Sequence, residues 1–306
     1  MAVALEVEEK LRAFLRTSAY ASHGGVVTDL DGTVVHEDQG RVYIPPPVEL
    51  ALKELYDLGR PLILNSLRFP LSVLRTFGKE WYGISNAPIP TISMNGSQLG
   101  FVVKNDQGEL EFEEITAFPL TDAEIEEALR GVGQLLAGGI KDVLVFYYPR
   151  DWRMGEIIWT PVPENVLHVK EKYVSASAVT AVEFAKLREQ MFAQEVCMIF
   201  LLIDAPEDTL MAYQHTKRSN FFTRAGVNKL SGTEAMAAHL GVDLSHSVGA
   251  GDTEMDNFLS GVGLTLLVRN HELAFRGIHQ TVKVRDSFEQ GDILFRLAQI
   301  QRELLG

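Results

Sequence analysis

Two aspartates near the start of the chain have a spacing that suits chemistry. Asp29 and Asp31 follow the apolar run Val26-Val27-Thr28 and precede Gly32. Side chains at positions i and i+2 of a strand point to the same side, so both carboxylates would meet where the strand ends. Carboxylates held this close repel each other unless a cation or a bound substrate compensates. The alternative is a strand followed by an ordinary Asp-Gly turn.

Three other polar positions follow predicted strands or begin predicted helices. Ser66 follows a short apolar run, and Lys229 stands at the predicted start of a helix. Asp252 and Asp256 follow the predicted strand Ser245–Gly249, at what the pattern predicts is the start of another helix. Taken singly, each residue has an ordinary structural explanation, because serine is common at strand ends, lysine is usually solvated, and aspartate often caps a helix.

Taken together, these groups predict phosphoryl transfer. Open α/β sheets bind ligands at the carboxyl ends of their strands. Mg²⁺ is usually held by one or two carboxylates plus phosphate and water, and Asp29 with Asp252 would supply the carboxylates. Lys229 and Ser66 would then contact the phosphoryl oxygens. One carboxylate can form an aspartyl-phosphate, and a second can act as general acid and then as base.

The order of these motifs resembles that of the haloacid-dehalogenase (HAD) superfamily of phosphatases. The four motifs are matched by Asp29-Leu30-Asp31-Gly32-Thr33, Ser66, Lys229 and Gly251-Asp252-(three residues)-Asp256. Further segments resemble the Cof-type and sucrose-phosphatase-like branches, which carry a large α/β cap between the second and third motifs: Asn95-Gly96, Val227-Asn228-Lys229, Val268-Arg269-Asn270 and Gln290-Gly291-Asp292. Two positions depart from the usual pattern: Leu67, where the second motif usually has glycine, and Met255, where the Cof-type fourth motif usually has asparagine.

The resemblance implies a role for each core residue. Asp29 attacks phosphorus, while Asp31 protonates the leaving oxygen and later activates water. The phosphoryl group is held by Leu30, Ser66 and Lys229. The metal ligands are Asp29, the backbone carbonyl of Asp31, and Asp252. Thr33, Asp256 and Asn270 are supporting residues, with Asp256 either orienting the metal's waters or pairing with Lys229. Weaker candidates for substrate contact are Arg68, Arg150, Trp152, Arg153, Lys172 and His215.

The alternation of strands and helices predicts how the chain is organised. It runs to about Asn95 and returns from about Asn220, which is typical of a parallel sheet covered on both faces. Between them, a β-hairpin, several strands and helices, including one over Ala205–Tyr213, indicate a second α/β unit. We therefore expect a Rossmann-like open, mostly parallel sheet core, residues 1–96 and 218–306, with an inserted α/β cap domain at residues 97–217.

Composition narrows the choice of partners. The formal net charge of -13 over 306 residues argues against a nucleic-acid backbone or an anionic membrane as partner. No apolar run is long enough to span a bilayer, and the single cysteine, Cys197, lies in an apolar run. These features predict a cytoplasmic protein, and they leave its oligomeric state open.

The expected function is a Mg²⁺-dependent phosphatase acting on a small phosphorylated metabolite, with a sugar phosphate as the first expectation. A phosphomutase of the same superfamily and a non-catalytic phospholigand-binding protein are the alternatives. Gly249-Ala250-Gly251 suggests a dinucleotide site, but the third glycine is absent and Asp252 would repel a pyrophosphate.

Overall fold

The computed structural model describes residues 3–38, 41–139, 141–203 and 221–305. The helix predicted over Ala205–Tyr213 and the substrate candidate His215 lie outside these described residues. The strands are β1 Val26–Thr28, β2 His36–Asp38, β3 Arg41–Tyr43, β4 Leu62–Asn65, β5 Ile89–Ser93, β6 Gln98–Lys104, β7 Leu110–Ala117, β8 Val143–Pro149, β9 Ile157–Trp159, β10 Ala178–Thr180, β11 Val196–Ile203, β12 Phe221–Phe222, β13 Val248–Gly251, β14 Leu264–Val268 and β15 Gln280–Val284. The α-helices are α1 Leu5–Thr17, α2 Tyr20–His23, α3 Pro46–Asp57, α4 Pro70–Thr76, α5 Gly78–Ser85, α6 Asp122–Ala137, α7 Val166–Lys172, α8 Phe184–Phe192, α9 Lys229–Leu240 and α10 Ser287–Leu305.

An eight-stranded sheet forms the centre of the fold, in the order β15-β14-β13-β1-β4-β5-β6-β7. From β15 to β5 neighbouring strands are parallel, and the pairings of β6 and β7 are antiparallel. Strand β1 lies between β4 and β13, with Thr28 opposite Leu64 on one side and Ala250 on the other. The carboxyl ends of these three strands are therefore level, which forms the crevice where open sheets bind ligands.

Helices cover both faces of the large sheet. Helices α1, α3, α5 and α10 bury one face, with Leu52 and Leu294 among the fully buried side chains. Helix α9 lies against the other face, where Met236 packs near Ile92 and Phe258. Val26, Val27 and Thr28 are buried, as expected for a strand covered on both faces.

A second sheet, in the order β10-β9-β8-β11-β12, forms the inserted unit. Helices α6 and α8 pack on one of its faces, and α6 begins with a capping box of Thr121 and Glu124. The opposite face, which includes Phe146 and Met198, packs against side chains of the large-sheet unit at the ends of its strands, among them Phe69. The inserted unit therefore lies over the carboxyl edge of the large sheet.

The hairpin of β6 and β7 corrects the predicted domain boundary. The sequence interpretation placed it in the inserted cap domain, which was to begin at residue 97. The structure instead pairs Gln98–Lys104 with β5, so the hairpin extends the large sheet. A hairpin pattern specifies two paired strands but not the sheet that they join. We propose that the inserted unit begins after Ala117.

The helix predicted to start at Asp252 is also wrong. Residues 252–255 form bends and turns, and after Asp256 only the short 3₁₀ segment Asn257–Ser260 follows. The physical reason is that the Asp256 carboxylate accepts hydrogen bonds from the backbone N–H groups of Asp252 and Thr253. Such a local bond gives the backbone an alternative to helical pairing.

Among the described residues, no helix combines the length and the apolar character needed to cross a bilayer.

Candidate active site

Four polar segments that are far apart in the chain meet at the carboxyl edge of the large sheet. Asp29 directly follows β1, Ser66 follows β4, and Asp252 follows β13. Lys229 is the first residue of α9, where Asn228 caps the helix by accepting from the N–H groups of Leu230 and Ser231. The crevice predicted from the sequence thus contains a side chain from each of the four motifs.

The turn after β1 brings the chain against Asp252. Residues Leu30–Val34 form a tight reversal, closed by the Val35 N–H donating to the Leu30 carbonyl at 3.1 Å. Gly32 has φ of +78°, and a Cβ there would lie 2.1 Å from Asp252 Oδ2. Glycine is required at this position both for the backbone conformation and for the close approach.

Lys229 joins two carboxylates inside the protein. Its Nζ donates to Asp29 Oδ1 at 2.5 Å and to Asp256 Oδ1 at 2.7 Å. The three side chains are only 4%, 7% and 0% exposed, in the order Lys229, Asp29, Asp256. Burial alone lowers the pKa of Lys229, but Asp256 and Asp29 outweigh it and the net pKa is raised. The lysine is therefore a permanent cation in the crevice.

The two oxygens of Asp256 are fully used by neighbouring donors. Oδ1 accepts from Lys229, and Oδ2 accepts from the N–H groups of Asp252 and Thr253 at 3.0 and 2.9 Å and from Thr253 Oγ1 at 3.1 Å. The sequence left two roles open for Asp256, and the structure shows the one in which it pairs with Lys229. It also fixes the loop that carries Asp252.

Asp29, Asp252 and Asp256 form a carboxylate triad whose potential ligand oxygens lie within 4.8 Å of one another. Burial raises the pKa of Asp29 well above its ordinary range, partly offset by Lys229. Burial, with the nearby Asp256 carboxylate, raises the pKa of Asp252 to about 7. This crowding of negative charge suits a divalent cation, and because Asp256 is saturated, Asp29 and Asp252 are the carboxylates left to hold it.

Thr33 lies between these two carboxylates. Its Oγ1 is 3.5 Å from Asp29 Oδ2 and 3.3 Å from Asp252 Oδ1. Both contacts are long, so the hydroxyl can donate to either oxygen without holding it firmly. This placement fits the supporting role that the resemblance implied.

Asp31 is held by Arg68, a residue that the sequence interpretation gave as a weak substrate contact. Arg68 donates from Nε to Asp31 Oδ2 at 2.7 Å and from Nη2 to Asp31 Oδ1 at 2.8 Å. Its Nη1 donates to Ser72 Oγ at 3.1 Å, and its guanidinium lies over the ring of Phe77. The contact that the structure shows for Arg68 is thus with the aspartate expected to move protons.

Ser66 and Leu30 are the residues that the resemblance gave, with Lys229, as phosphate-binding. Ser66 is fully buried, and its Oγ accepts from the Arg68 N–H at 3.1 Å while its own N–H donates to the Ile92 carbonyl. Ser66 is thereby fixed beside Arg68, the residue that holds Asp31. The Leu30 side chain is fully buried, so only its backbone could face a phosphoryl group.

The structure does not bring the remaining candidates to the carboxylate triad. Asn270 is exposed, and its Oδ1 accepts from the Glu272 N–H in a surface turn. Arg150, Trp152 and Arg153 line one groove beside Glu114 and Glu195, and Arg150 forms ion pairs with both glutamates. Lys172 lines a different groove, with His168 and Tyr173. Neither groove is lined by a residue of the triad.

Two residues near the triad were given no role from the sequence. Arg269 has a left-handed backbone, with φ of +58°, and its charge lowers the pKa of Asp252 against the larger effect of burial. Thr253 donates through its hydroxyl to Asp256. Arg269 and Thr253 both lie next to motif residues in the sequence. Only the folded structure shows that Arg269 affects Asp252 and that Thr253 binds Asp256.

No protein-family model matches the chain, and no curated protein matches it significantly. Solved structures do match over nearly their whole length. A phosphatase of the HAD superfamily from Bacteroides thetaiotaomicron aligns with 93% of this chain and 96% of its own, at 14% identity and a TM-score of 0.61.

Two further structures agree with it. A sugar phosphatase of HAD subclass IIB aligns with 92% of this chain and 98% of its own, at 16% identity and a TM-score of 0.60. A haloacid-dehalogenase-like hydrolase from B. subtilis aligns with 89% and 98%, at 16% identity and a TM-score of 0.61.

The chain has the haloacid-dehalogenase fold. The predicted fold class, an open, mostly parallel core with an α/β insertion, is confirmed. At identities this low the likeness concerns the fold, so the reaction has to be argued from the side chains of the crevice. Within this HAD fold, those side chains are Asp29, Asp31, Lys229 and Asp252.

Proposed function

We propose that this protein is a Mg²⁺-dependent phosphatase that hydrolyses a small phosphorylated metabolite through an aspartyl-phosphate on Asp29. The observation that carries this proposal is the buried crevice in which Lys229 and the triad of Asp29, Asp252 and Asp256 converge. A buried cation between carboxylates, beside a pair that suits a divalent ion, matches the charge pattern of a bound phosphoryl group and its metal.

Asp29 is the group best placed to attack phosphorus. Its Oδ1 is bound by Lys229, whereas its Oδ2 has only the long contact with Thr33. One oxygen is thus oriented by a cation and the other is available for bonding. The attack would form an O–P bond to Asp29 and break the bond from phosphorus to the leaving oxygen, which needs a proton.

Asp31 supplies that proton and later takes one from water. It follows Asp29 by two residues, and its side chain is 28% exposed, so it can reach both the leaving group and the solvent that hydrolyses the aspartyl-phosphate. Lys229 and Ser66 would hold the phosphoryl oxygens, together with the backbone of Leu30. When bound, Mg²⁺ at Asp29 and Asp252, with the Asp31 carbonyl, would neutralise negative charge on the phosphoryl group.

We propose sugar phosphates as the first substrate class to test. A structural neighbour that covers nearly the same fold is a sugar phosphatase. The inserted unit lies over the crevice, where it can exclude water and contact the leaving group.

The test is phosphate release from a panel of sugar phosphates, other phosphorylated metabolites and nucleotides, measured with Mg²⁺ and with EDTA. We expect release from at least one substrate, lost with EDTA and in Asp29→Asn. Asp106→Asn, the same change at an exposed turn residue, is the matched control and should keep full activity. No release from any substrate would contradict the proposal, and an isomeric phosphate product detected by NMR would favour a phosphomutase.

A further inference from the structure

The contact between Arg68 and Asp31 conflicts with the work proposed for Asp31. Arg68 donates to both Asp31 oxygens at once, at 2.7 and 2.8 Å. A charge-assisted pair of this bidentate kind is strong and holds the carboxylate in one orientation. To donate a proton, however, Asp31 must carry it on one of these oxygens and turn that oxygen to the leaving group. At least one of the two hydrogen bonds therefore has to be released during turnover.

A second carboxylate is available to Arg68 from the inserted unit. Glu156 precedes β9 and is 2% exposed. Its Oε2 accepts from the Tyr148 hydroxyl at 2.6 Å and its Oε1 from Ser175 Oγ at 3.3 Å. Among the described residues, no cation lies within ion-pair distance of Glu156. Burying a carboxylate beside hydroxyl groups is costly unless a cation is near.

Arg68 and Glu156 line the same small cavity. Its volume of about 20 Å³ is large enough for one water molecule, and Ser72 and Ser175 also line it. The remaining walls are mostly apolar, with Leu67, Phe69, Met198 and Phe221. Burial raises the pKa of Glu156 while the charge of Arg68 lowers it, so the two groups already interact through this space. The two charged groups therefore share one cavity.

We propose that Glu156 is a positioning residue that acts through Arg68, drawing the guanidinium away from Asp31 when substrate is bound. Arg68 belongs to the loop after β4 of the large sheet, whereas Glu156 belongs to the inserted unit. Release of the general acid thus depends on the inserted unit lying over the crevice, so that acid catalysis occurs only where water is excluded. This inference rests on the proposed phosphatase function.

A double-mutant cycle tests this coupling, using the best substrate from the panel. We expect Glu156→Gln to lower kcat by about 10-fold or more, because acid–base catalysis contributes at least that much, while KM stays nearly unchanged. Arg68→Gln removes the group that holds Asp31, so it should lower kcat less than Glu156→Gln does. Because Glu156 acts through Arg68, the double variant should match Arg68→Gln to within about twofold. Glu164→Gln, the same change at an exposed site of the inserted unit, is the control.

Three results would overturn the inference. The first is an unchanged kcat in Glu156→Gln. The second is a double variant in which the fold-changes in kcat of the two single substitutions multiply. The third is a raised KM with unchanged kcat in Glu156→Gln, which would make Glu156 a direct substrate contact. Absence of any wild-type activity would overturn the phosphatase proposal and this inference together.

A crystal structure of the wild-type protein with Mg²⁺ and orthovanadate tests the movement itself, without relying on any variant to fold. We expect Arg68 to donate to Glu156 and to keep at most one hydrogen bond to Asp31. Vanadate bound at Asp29 with both Arg68–Asp31 hydrogen bonds intact would overturn the inference while leaving the proposed function standing.

Discussion

Lys229 Nζ lies 2.5 Å from Asp29 Oδ1, although both side chains are almost fully buried. The lysine also bonds Asp256, so a single cation balances two carboxylates. In Lys229→Met, Asp29 and Asp256 would both lose their buried cation. Breaking such a buried ion pair typically lowers the free energy of unfolding by about 3–5 kcal/mol. We expect the melting temperature to fall and phosphatase activity to drop by about 100-fold or more, since a phosphoryl-binding cation is lost.

The control for this change is Lys283→Met, which removes the same charge from an exposed position on β15. Lys283→Met should change neither the melting temperature nor the phosphatase activity. An active, unchanged Lys229→Met protein, measured by phosphate release and thermal unfolding, would exclude Lys229 from the site.

Gly32 is a position where a single methyl group should disrupt the crevice. In Gly32→Ala the new Cβ would meet Asp252 Oδ2, at 2.1 Å, and the backbone φ of +78° would be strained. Gly108→Ala separates the two effects, because Gly108 has φ of +81° but open space around its Cβ site. We expect Gly32→Ala to lose phosphatase activity and the rise in melting temperature that Mg²⁺ causes. Gly108→Ala, measured in the same way, should keep both. Equal losses in the two variants would show that strain, and not the approach to Asp252, matters.

Arg150 stabilises the junction between the β6–β7 hairpin and the inserted unit. Its guanidinium pairs with Glu114 at 2.6 Å and Glu195 at 2.8 Å, and its carbonyl accepts from Gln98 Nε2 at 2.8 Å. Because its side chain is 41% exposed, Arg150→Ala should cost about 1 kcal/mol or less in unfolding free energy. Its KM should stay within about twofold of wild type, since a contact outside the crevice adds little to substrate binding.

Arg153→Ala is the comparison, because Arg153 is 63% exposed and its ion pair with Glu111 is 3.9 Å long. It should leave thermal unfolding unchanged. If Arg150→Ala raised KM by about 10-fold or more, the substrate role expected from the sequence would be restored.

Glu156 should make stability depend on pH. Burial raises its pKa above the ordinary value of 4.5, opposed by Tyr148, Ser175 and Arg68. The folded state therefore binds the proton more tightly than the unfolded state. Protonated Glu156 therefore contributes its full stabilisation at pH values below its ordinary pKa. This stabilisation is lost as the pH rises through the higher pKa that Glu156 has in the folded state. Glu156→Gln removes this contribution.

Urea unfolding at a series of pH values measures that effect. Relative to wild type, Glu156→Gln should gain stability as the pH rises above 4.5, whereas Glu164→Gln should follow the wild-type curve. A constant difference between wild type and Glu156→Gln at all pH values would contradict a raised pKa.

The sequence predicts well where local pattern is sufficient. Strand β1 follows from the apolar run Val26-Val27-Thr28, and the helix predicted to start at Lys229 does start there. The meeting of Asp29 with Asp252 follows from the rule that parallel strands share a carboxyl edge.

Contacts that depend on long-range packing escaped prediction. Arg68 pairs with Asp31 across 37 positions, and Glu156 reaches the same cavity from the inserted unit. No local pattern specifies such partners. The Asp256 side chain, through its bonds to backbone N–H groups, likewise prevented the predicted helix.

A crystal structure of the wild-type protein with Mg²⁺ and trifluoroberyllate, a mimic of the aspartyl-phosphate, would show directly whether Asp29 is the nucleophile and a metal ligand. We expect beryllium bonded to an Asp29 carboxylate oxygen and one Mg²⁺ shared by Asp29 and Asp252, with Lys229 contacting a fluorine. A crevice that takes up neither group, or a metal bound away from Asp29 and Asp252, would contradict it.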